Sequence, residues 1–129
     1  MGTPQAHPAP VVLVVDDEPR VLGYMARALT EAGYRVQTAS SGRQALEQAA
    51  DPSAPLDVLV TDISMPVLTG VELAALVTER RPSTRVLLVT GAPPNLGELP
   101  WPVVMKPFSP RALVAAVALL LSLPPGAIY

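Results

Sequence analysis

The chain has 129 residues, half of them hydrophobic, with 9 Lys plus Arg against 11 Asp plus Glu and a formal charge of -2. That length suits one domain around one core, and the near balance of charge provides neither a basic footprint for nucleic acid nor a cationic cluster for an anionic membrane. There is no cysteine and one histidine, His7 in the N-terminal tail. This excludes disulfide frameworks and thiolate metal sites and argues against a histidine metal site or a Ser-His-Asp triad.

The opening "MGTPQAHPAP" lacks the apolar stretch of a signal peptide. The longest apolar run, "ALVAAVALLLSL" from Ala112 to Leu123, falls short of the roughly 20 residues that cross a bilayer. The expectation is a soluble, cytoplasmic protein. Sixteen prolines far exceed the usual share of about 5%. They gather at tails and joints and divide the chain into a disordered tail (1–10), one domain (11–123) and a C-terminal tail (124–129).

In chain order, "VVLVVDD" (Val11 to Asp17) is an apolar run ending in acid, the pattern of a strand buried on both faces. "EPRVLGYMARALTEAG" follows with Val21, Leu22, Met25, Leu29 and Ala32 at helical spacing, Pro19 in the first turn and Gly33 as the stop. "YRVQTA" predicts a short strand. "SSGRQALEQAA" predicts a helix opened by a capping box of Ser41 and Gln44. "LDVLVTD" (Leu56 to Asp62) is a second apolar run ending in acid, and "GVELAALVTERR" a helix. "TRVLLVTG" predicts a buried strand ending at Thr90, and "PVVMK" a short one ending at Lys106. "SPRALVAAVALLLSL" predicts the final helix, with Ser109 as cap and Pro110 at the first position. This alternation predicts a parallel α/β sheet with helices on both faces.

Open parallel sheets bind ligands at the carboxyl ends of their strands. Asp16, Asp17, Asp62, Thr90 and Lys106 all fall there. Crowded carboxylates raise one another's pKa, and a hard divalent cation relieves the repulsion. An oxygen-only donor set favours Mg²⁺ over zinc. The lysine supplies a point charge for a phosphoryl group, the threonine a hydroxyl donor, and an aspartate can serve as nucleophile by forming an aspartyl phosphate. Taken singly, Asp16 and Asp17 would read as helix-capping acids, Thr90 as an ordinary strand residue and Lys106 as a solvated strand end.

"VVDDEP", "DISMP", "VTGA" and "KPF", in this order and each at the end of an expected strand, resemble the receiver domains of two-component response regulators. The resemblance covers about residues 11–123. It implies a flavodoxin-like, doubly wound sheet of five parallel strands in the order 2-1-3-4-5. It makes Asp62 the phosphoacceptor, Asp17 a direct Mg²⁺ ligand, Asp16 a ligand acting through water, and the Ser64 backbone carbonyl a further ligand, with Asp62 also in the metal site. Thr90 matches the hydroxyl that moves toward the phosphoryl group and Lys106 the lysine that pairs with it. The Lys106–Pro107 bond is often cis in such domains. The phosphoryl source would be a histidine kinase, a phosphotransfer protein or a small donor such as acetyl phosphate. No enzymatic activity is expected beyond self-phosphorylation and autodephosphorylation, and Ser64 and Ala92 stand at positions that tune the latter.

The sequence departs from that family in two places. Receivers carry a fourth helix between the threonine and the lysine. Here "GAPPNLGELPW" stands in its place, poor helix material that allows at most one turn around Asn95 to Leu99. A stiff loop or a shortened helix is expected. Receivers also tend to carry Tyr or Phe three residues before the lysine, where this chain has Val103. Trp101 is read as a plug over the loop or as an exposed anchor, Met25 and Met105 as core filler, and Met65 and Pro66 as a turn. The last helix is apolar nearly all round, which suggests homodimerisation through it, although exposed alanines would explain the same pattern.

The leading expectation is a phosphoacceptor receiver that signals by protein contact, either stand-alone or as a receiver module of a hybrid histidine kinase. A receiver fold that serves as a non-switching interaction module is the alternative, favoured by the missing aromatic. An aspartate-based phosphatase ranks last, because no cap or substrate domain is evident.

Overall fold

The computed structural model describes residues 8–92 and 97–124. Each predicted strand forms: β1 (Val11–Val15), β2 (Arg35–Ala39), β3 (Val58–Asp62), β4 (Arg85–Thr90) and β5 (Val103–Met105). All pair in parallel, in the order β2-β1-β3-β4-β5. The helices are α1 (Pro19–Glu31), α2 (Gly42–Gln48), α3 (Gly70–Arg80) and α4 (Pro110–Leu121). This is the parallel sheet that the alternation of elements predicts, in the flavodoxin-like, doubly wound order that the resemblance implies.

Successive strand residues face opposite sides, so the central strands feed two cores. Leu13, Val15, Leu59, Val86 and Leu88 pack with Ala45 of α2 and with Leu73, Ala74 and Val77 of α3. Val12, Val14, Val58, Val60, Leu87 and Val89 pack with Met25, Ala28 and Leu29 of α1 and with Leu113, Val117 and Leu120 of α4. Burial on both faces is why β1 and β3 read as unbroken apolar runs.

The helix ends follow local chemistry, with one revision. Gly33 (φ 101°) closes α1: its N–H donates to Thr30 at 3.0 Å and that of Tyr34 to Leu29 at 3.2 Å, the Schellman pattern. Ala32, expected on the apolar stripe, is the exposed C-cap. Ser109 caps α4 by accepting from the Ala112 N–H, with Pro110 in the first turn. At α2 the expected capping box is only half formed. Ser41 accepts from the Gln44 N–H, but the Gln44 side chain reaches one residue further back, to the N–H and hydroxyl of Ser40. The reciprocal box belongs instead to α3, between Thr69 and Glu72.

Among the described residues no helix lies between β4 and β5. The expected turn at Asn95–Leu99 falls partly outside them. Leu99 and Trp101 are half-buried and pack with Val103 against the core that α2 and α3 cover, so Trp101 lies on the core as a plug. Met105 is no core filler: it is 41% exposed. It ends the edge strand β5, on the face where no described helix reaches it. Met25 is fully buried, as expected. Met65 is more than a turn residue, since its side chain is buried in the core beneath the loop that follows β3. His7, most of the N-terminal tail and residues 125–129 lie outside the described residues.

Candidate functional site

β1 and β3 lie side by side, so their carboxyl ends bring Asp16 and Asp17 to Asp62. One carboxylate oxygen from each of the three lies within 4.8 Å of the others. Asp16 and Asp62 are buried, whereas Asp17 is exposed. Lys106 arrives from the end of β5. Its Nζ donates to Oδ2 of Asp16 at 3.0 Å and lies 3.4 Å from Oδ1 of Asp62. The Lys106–Pro107 peptide bond is cis.

Burial, reinforced by the negative charge of Asp16, raises the Asp62 carboxyl above its ordinary pKa, against the pull of Lys106. Burial of Lys106 opposes its charge, but the hydrogen bond and charge of Asp16, together with Asp62, outweigh this and raise its pKa. Asp16 is held rigidly, because its Oδ1 also accepts from the Glu18 N–H at 2.9 Å. Three acids thus face a single ammonium. That excess of oxygen donors over positive charge fits a hard divalent cation such as Mg²⁺.

Thr90 ends β4, and its hydroxyl turns to the Ala92 backbone, donating to the carbonyl at 3.0 Å and accepting from the N–H at 3.3 Å. Ser64 lies in the loop after β3 with its side chain exposed. The structure therefore draws Asp16, Asp17, Asp62 and Lys106 together, with Thr90 at the neighbouring strand end engaged elsewhere.

Two features of the site were not singled out from sequence. Gly70 opens α3 against the end of β3: its N–H donates to Ile63 at 2.9 Å, and a Cβ on it would lie 2.1 Å from the Asp62 carbonyl oxygen. A glycine that opens a helix shortly after a strand was the available signal. Val67, in the same loop, adopts φ 69° while fully exposed, an unusual conformation for a β-branched residue. No sequence signal marks it.

A single parallel sheet covered by helices on both faces, with an acid cluster, a threonine and a lysine at its carboxyl edge, is the architecture of a receiver domain. The family model described as response regulator receiver domain matches residues 12–118, and the chain belongs to that family. It is 40% identical over 79 residues to the transcriptional regulatory protein TcrA of Mycobacterium tuberculosis, covering 61% of this chain and 30% of that protein. It is 31% identical over 116 residues to the response regulator receiver protein CpdR of Brucella abortus, covering 85% of this chain and 95% of CpdR. The response regulator TrrA of Thermotoga maritima, solved in complex with Mg²⁺-BeF, superposes with a TM-score of 0.78 at 31% identity, covering 87% of this chain and 99% of that one. The chain thus spans under a third of TcrA but nearly all of CpdR. Receiver domains act in two-component signalling, bind Mg²⁺ at an acidic pocket, and interact with histidine kinases and phosphotransfer proteins. Among the described residues no helix is long and apolar enough to cross a membrane.

Proposed function

We propose that Asp62 accepts a phosphoryl group from a histidine kinase, a phosphotransfer protein or a small phosphodonor, and that the charged form signals by protein contact in the cytoplasm. The observation that carries this reading is the position of Lys106 Nζ, 3.0 Å from Asp16 and 3.4 Å from Asp62 at the edge of a three-carboxylate cluster. An Asp62 oxygen attacks phosphorus; the bond from phosphorus to the donor atom breaks, and its electron pair leaves with the donor. Lys106 then shifts part of its pairing to a phosphoryl oxygen, and Thr90 offers its hydroxyl to another. Asp16, Asp17, Asp62 and the Ser64 carbonyl would hold Mg²⁺, which would offset the negative charge of the carboxylates and the incoming phosphoryl group. The remainder of the catalysis is positioning.

A groove lined by Arg20, Val21, Tyr24, Pro107 and Phe108 adjoins Lys106 and offers apolar surface to the donor protein. Two of its lining residues are tied together, the Tyr24 hydroxyl donating to the Phe108 carbonyl at 2.7 Å. On α4, Ala112, Ala115, Ala118 and Leu119 are exposed, with Leu119 at 64%. Pairing of two copies through this face belongs to the same reading. Sedimentation that finds a monomer at high concentration, with and without beryllofluoride, rejects the pairing.

The test of the phosphoacceptor is intact mass after incubation with acetyl phosphate and Mg²⁺, beside Asp62→Ala and an EDTA control. A phosphoryl adduct on the wild type alone, dependent on Mg²⁺, supports the reading. No adduct from acetyl phosphate or candidate kinases, and no binding of beryllofluoride, would leave the receiver fold as a non-switching interaction module.

A further inference from the structure

β5 is an edge strand, and both β3 and β4 separate it from β1. Three spacings of roughly 4.8 Å thus lie between the strand that ends at Lys106 and the strand that ends at Asp16. A four-carbon stem does not cover that gap by itself, yet Nζ donates to Asp16 Oδ2 at 3.0 Å. The chain beyond β5 must therefore lean back over the sheet edge toward α1.

The backbone around Lys106 is fixed at both ends of this lean. Upstream, its own N–H donates to the Thr90 carbonyl at 2.8 Å. Downstream, Ser109 is committed to capping α4. Pro107 and Phe108 bridge the two, and proline has no N–H to offer. Among the described residues, one hydrogen bond joins that bridge to α1: the Tyr24 hydroxyl donates to the Phe108 carbonyl at 2.7 Å. The two rings lie 6.0 Å apart and tilted by 58°, within the range of aromatic pairing, so a packed pair delivers the hydroxyl. At the start of α1 the Glu18 N–H donates to Asp16 Oδ1 at 2.9 Å. The strap thus joins the helix that fixes Asp16 to the segment that carries Lys106.

We propose that Tyr24 is a positioning residue for Lys106. The proposal rests on Asp62 being the phosphoacceptor. The strap holds the Pro107–Phe108 bridge against α1, so that Nζ stays between Asp16 and Asp62 and remains aimed at the site when a phosphoryl oxygen takes part of its pairing. Tyr24 acts through the Phe108 backbone and not on the phosphoryl group. Without its hydroxyl the bridge relaxes outward, and fewer molecules hold the ammonium in place.

Lys106 is the sole lysine, so ¹³C-labelled lysine gives one side-chain signal that reads its surroundings. Tyr24→Phe removes the hydroxyl and keeps the ring. Phosphorylation from acetyl phosphate and Mg²⁺ is followed by intact mass and scaled to the folded fraction by circular dichroism. A small donor keeps the docking of a donor protein out of the rate. Tyr24→Phe should be slower by roughly 3- to 10-fold, the range that one net hydrogen bond supplies. In the metal-free variant the Lys106 Cε signal should move toward that of a solvated lysine. A merely structural hydroxyl would lower stability and move neither the signal nor the rate per folded molecule. A wild-type rate, or a wild-type Lys106 signal, in folded Tyr24→Phe would overturn the proposal. Absence of an adduct on the wild type would instead overturn the phosphoacceptor reading, and the positioning role with it.

Discussion

Gly70 stands so close to Asp62 that a methyl group on its Cα would lie 2.1 Å from the Asp62 carbonyl oxygen. The obstructing atoms are backbone atoms of Asp62 and Ile63, so no rotamer change relieves the overlap. The N-terminus of α3 is thereby pressed onto the end of β3, directly against the backbone of Asp62.

Gly70→Ala should therefore force α3 off the strand and cost about 2–3 kcal/mol, the upper range for overpacking a tight core. Urea denaturation measures the loss. Phosphorylation from acetyl phosphate, followed by intact mass, should slow in the fraction that remains folded.

Asp62 should govern the pH dependence of stability in the metal-free protein. Burial and Asp16 raise its pKa on folding, so the folded state binds this proton more readily than the unfolded chain does. Folding is then penalised above the raised pKa, and the penalty fades as pH falls through it. Asp62→Asn should raise the melting temperature at neutral pH in EDTA. The gain should shrink toward zero through the acid range where the carboxyl protonates. Added Mg²⁺ should narrow the gap, because a cation relieves in the wild type the repulsion that the variant removes. A gap that stays constant with pH would contradict this account.

Lys106 neutralises a carboxylate that has no other cation within ion-pair distance among the described residues: Asp16 is buried and its Oδ2 is held by the ammonium. Lys106→Met should destabilise the metal-free protein by about 2 kcal/mol, in the range for losing a hydrogen bond to a charged group. Mg²⁺ should restore part of that loss, a recovery that calorimetry with and without the ion would show. It should not restore phosphoryl acceptance, since the variant has no ammonium for the transferred group.

Arg81, just past α3, holds the segment between α2 and β3. Its Nε donates to the Ala49 carbonyl at 3.0 Å and its Nη1 to the Ala54 carbonyl at 2.8 Å, while Nη2 donates to the Asp51 carbonyl. Arg81→Ala should cost about 2 kcal/mol by denaturant titration, as hydrogen bonds from a charged donor are lost. Arg81→Lys should recover only a minor part, because a single ammonium cannot reproduce a planar fork aimed at three carbonyls.

The sequence by itself determined the strands, the helices and the acid–lysine constellation. In a parallel sheet covered on both faces, each central strand must be an apolar run, and functional groups must follow where it ends. Asp16, Asp62, Thr90 and Lys106 are visible for that reason, and Gly33 and Ser109 because caps are local chemistry. The lack of a helix among the described residues between Thr90 and Lys106 was equally legible, since prolines resist helix whatever surrounds them. The tertiary structure alone decided what depends on distances across the fold. It set the approach of Gly70 to Asp62, the exposure of Met105 at an uncovered sheet edge, the three-carbonyl grip of Arg81 and the direction of the Thr90 hydroxyl. Gln44 shows the same limit at short range: Ser40 and Ser41 are both plausible partners for its side chain, and only the folded backbone places Ser40 within reach. Spacing along the chain identifies candidate groups. Only packing determines which of them meet, because contact energies fall off over a few ångströms that sequence does not encode.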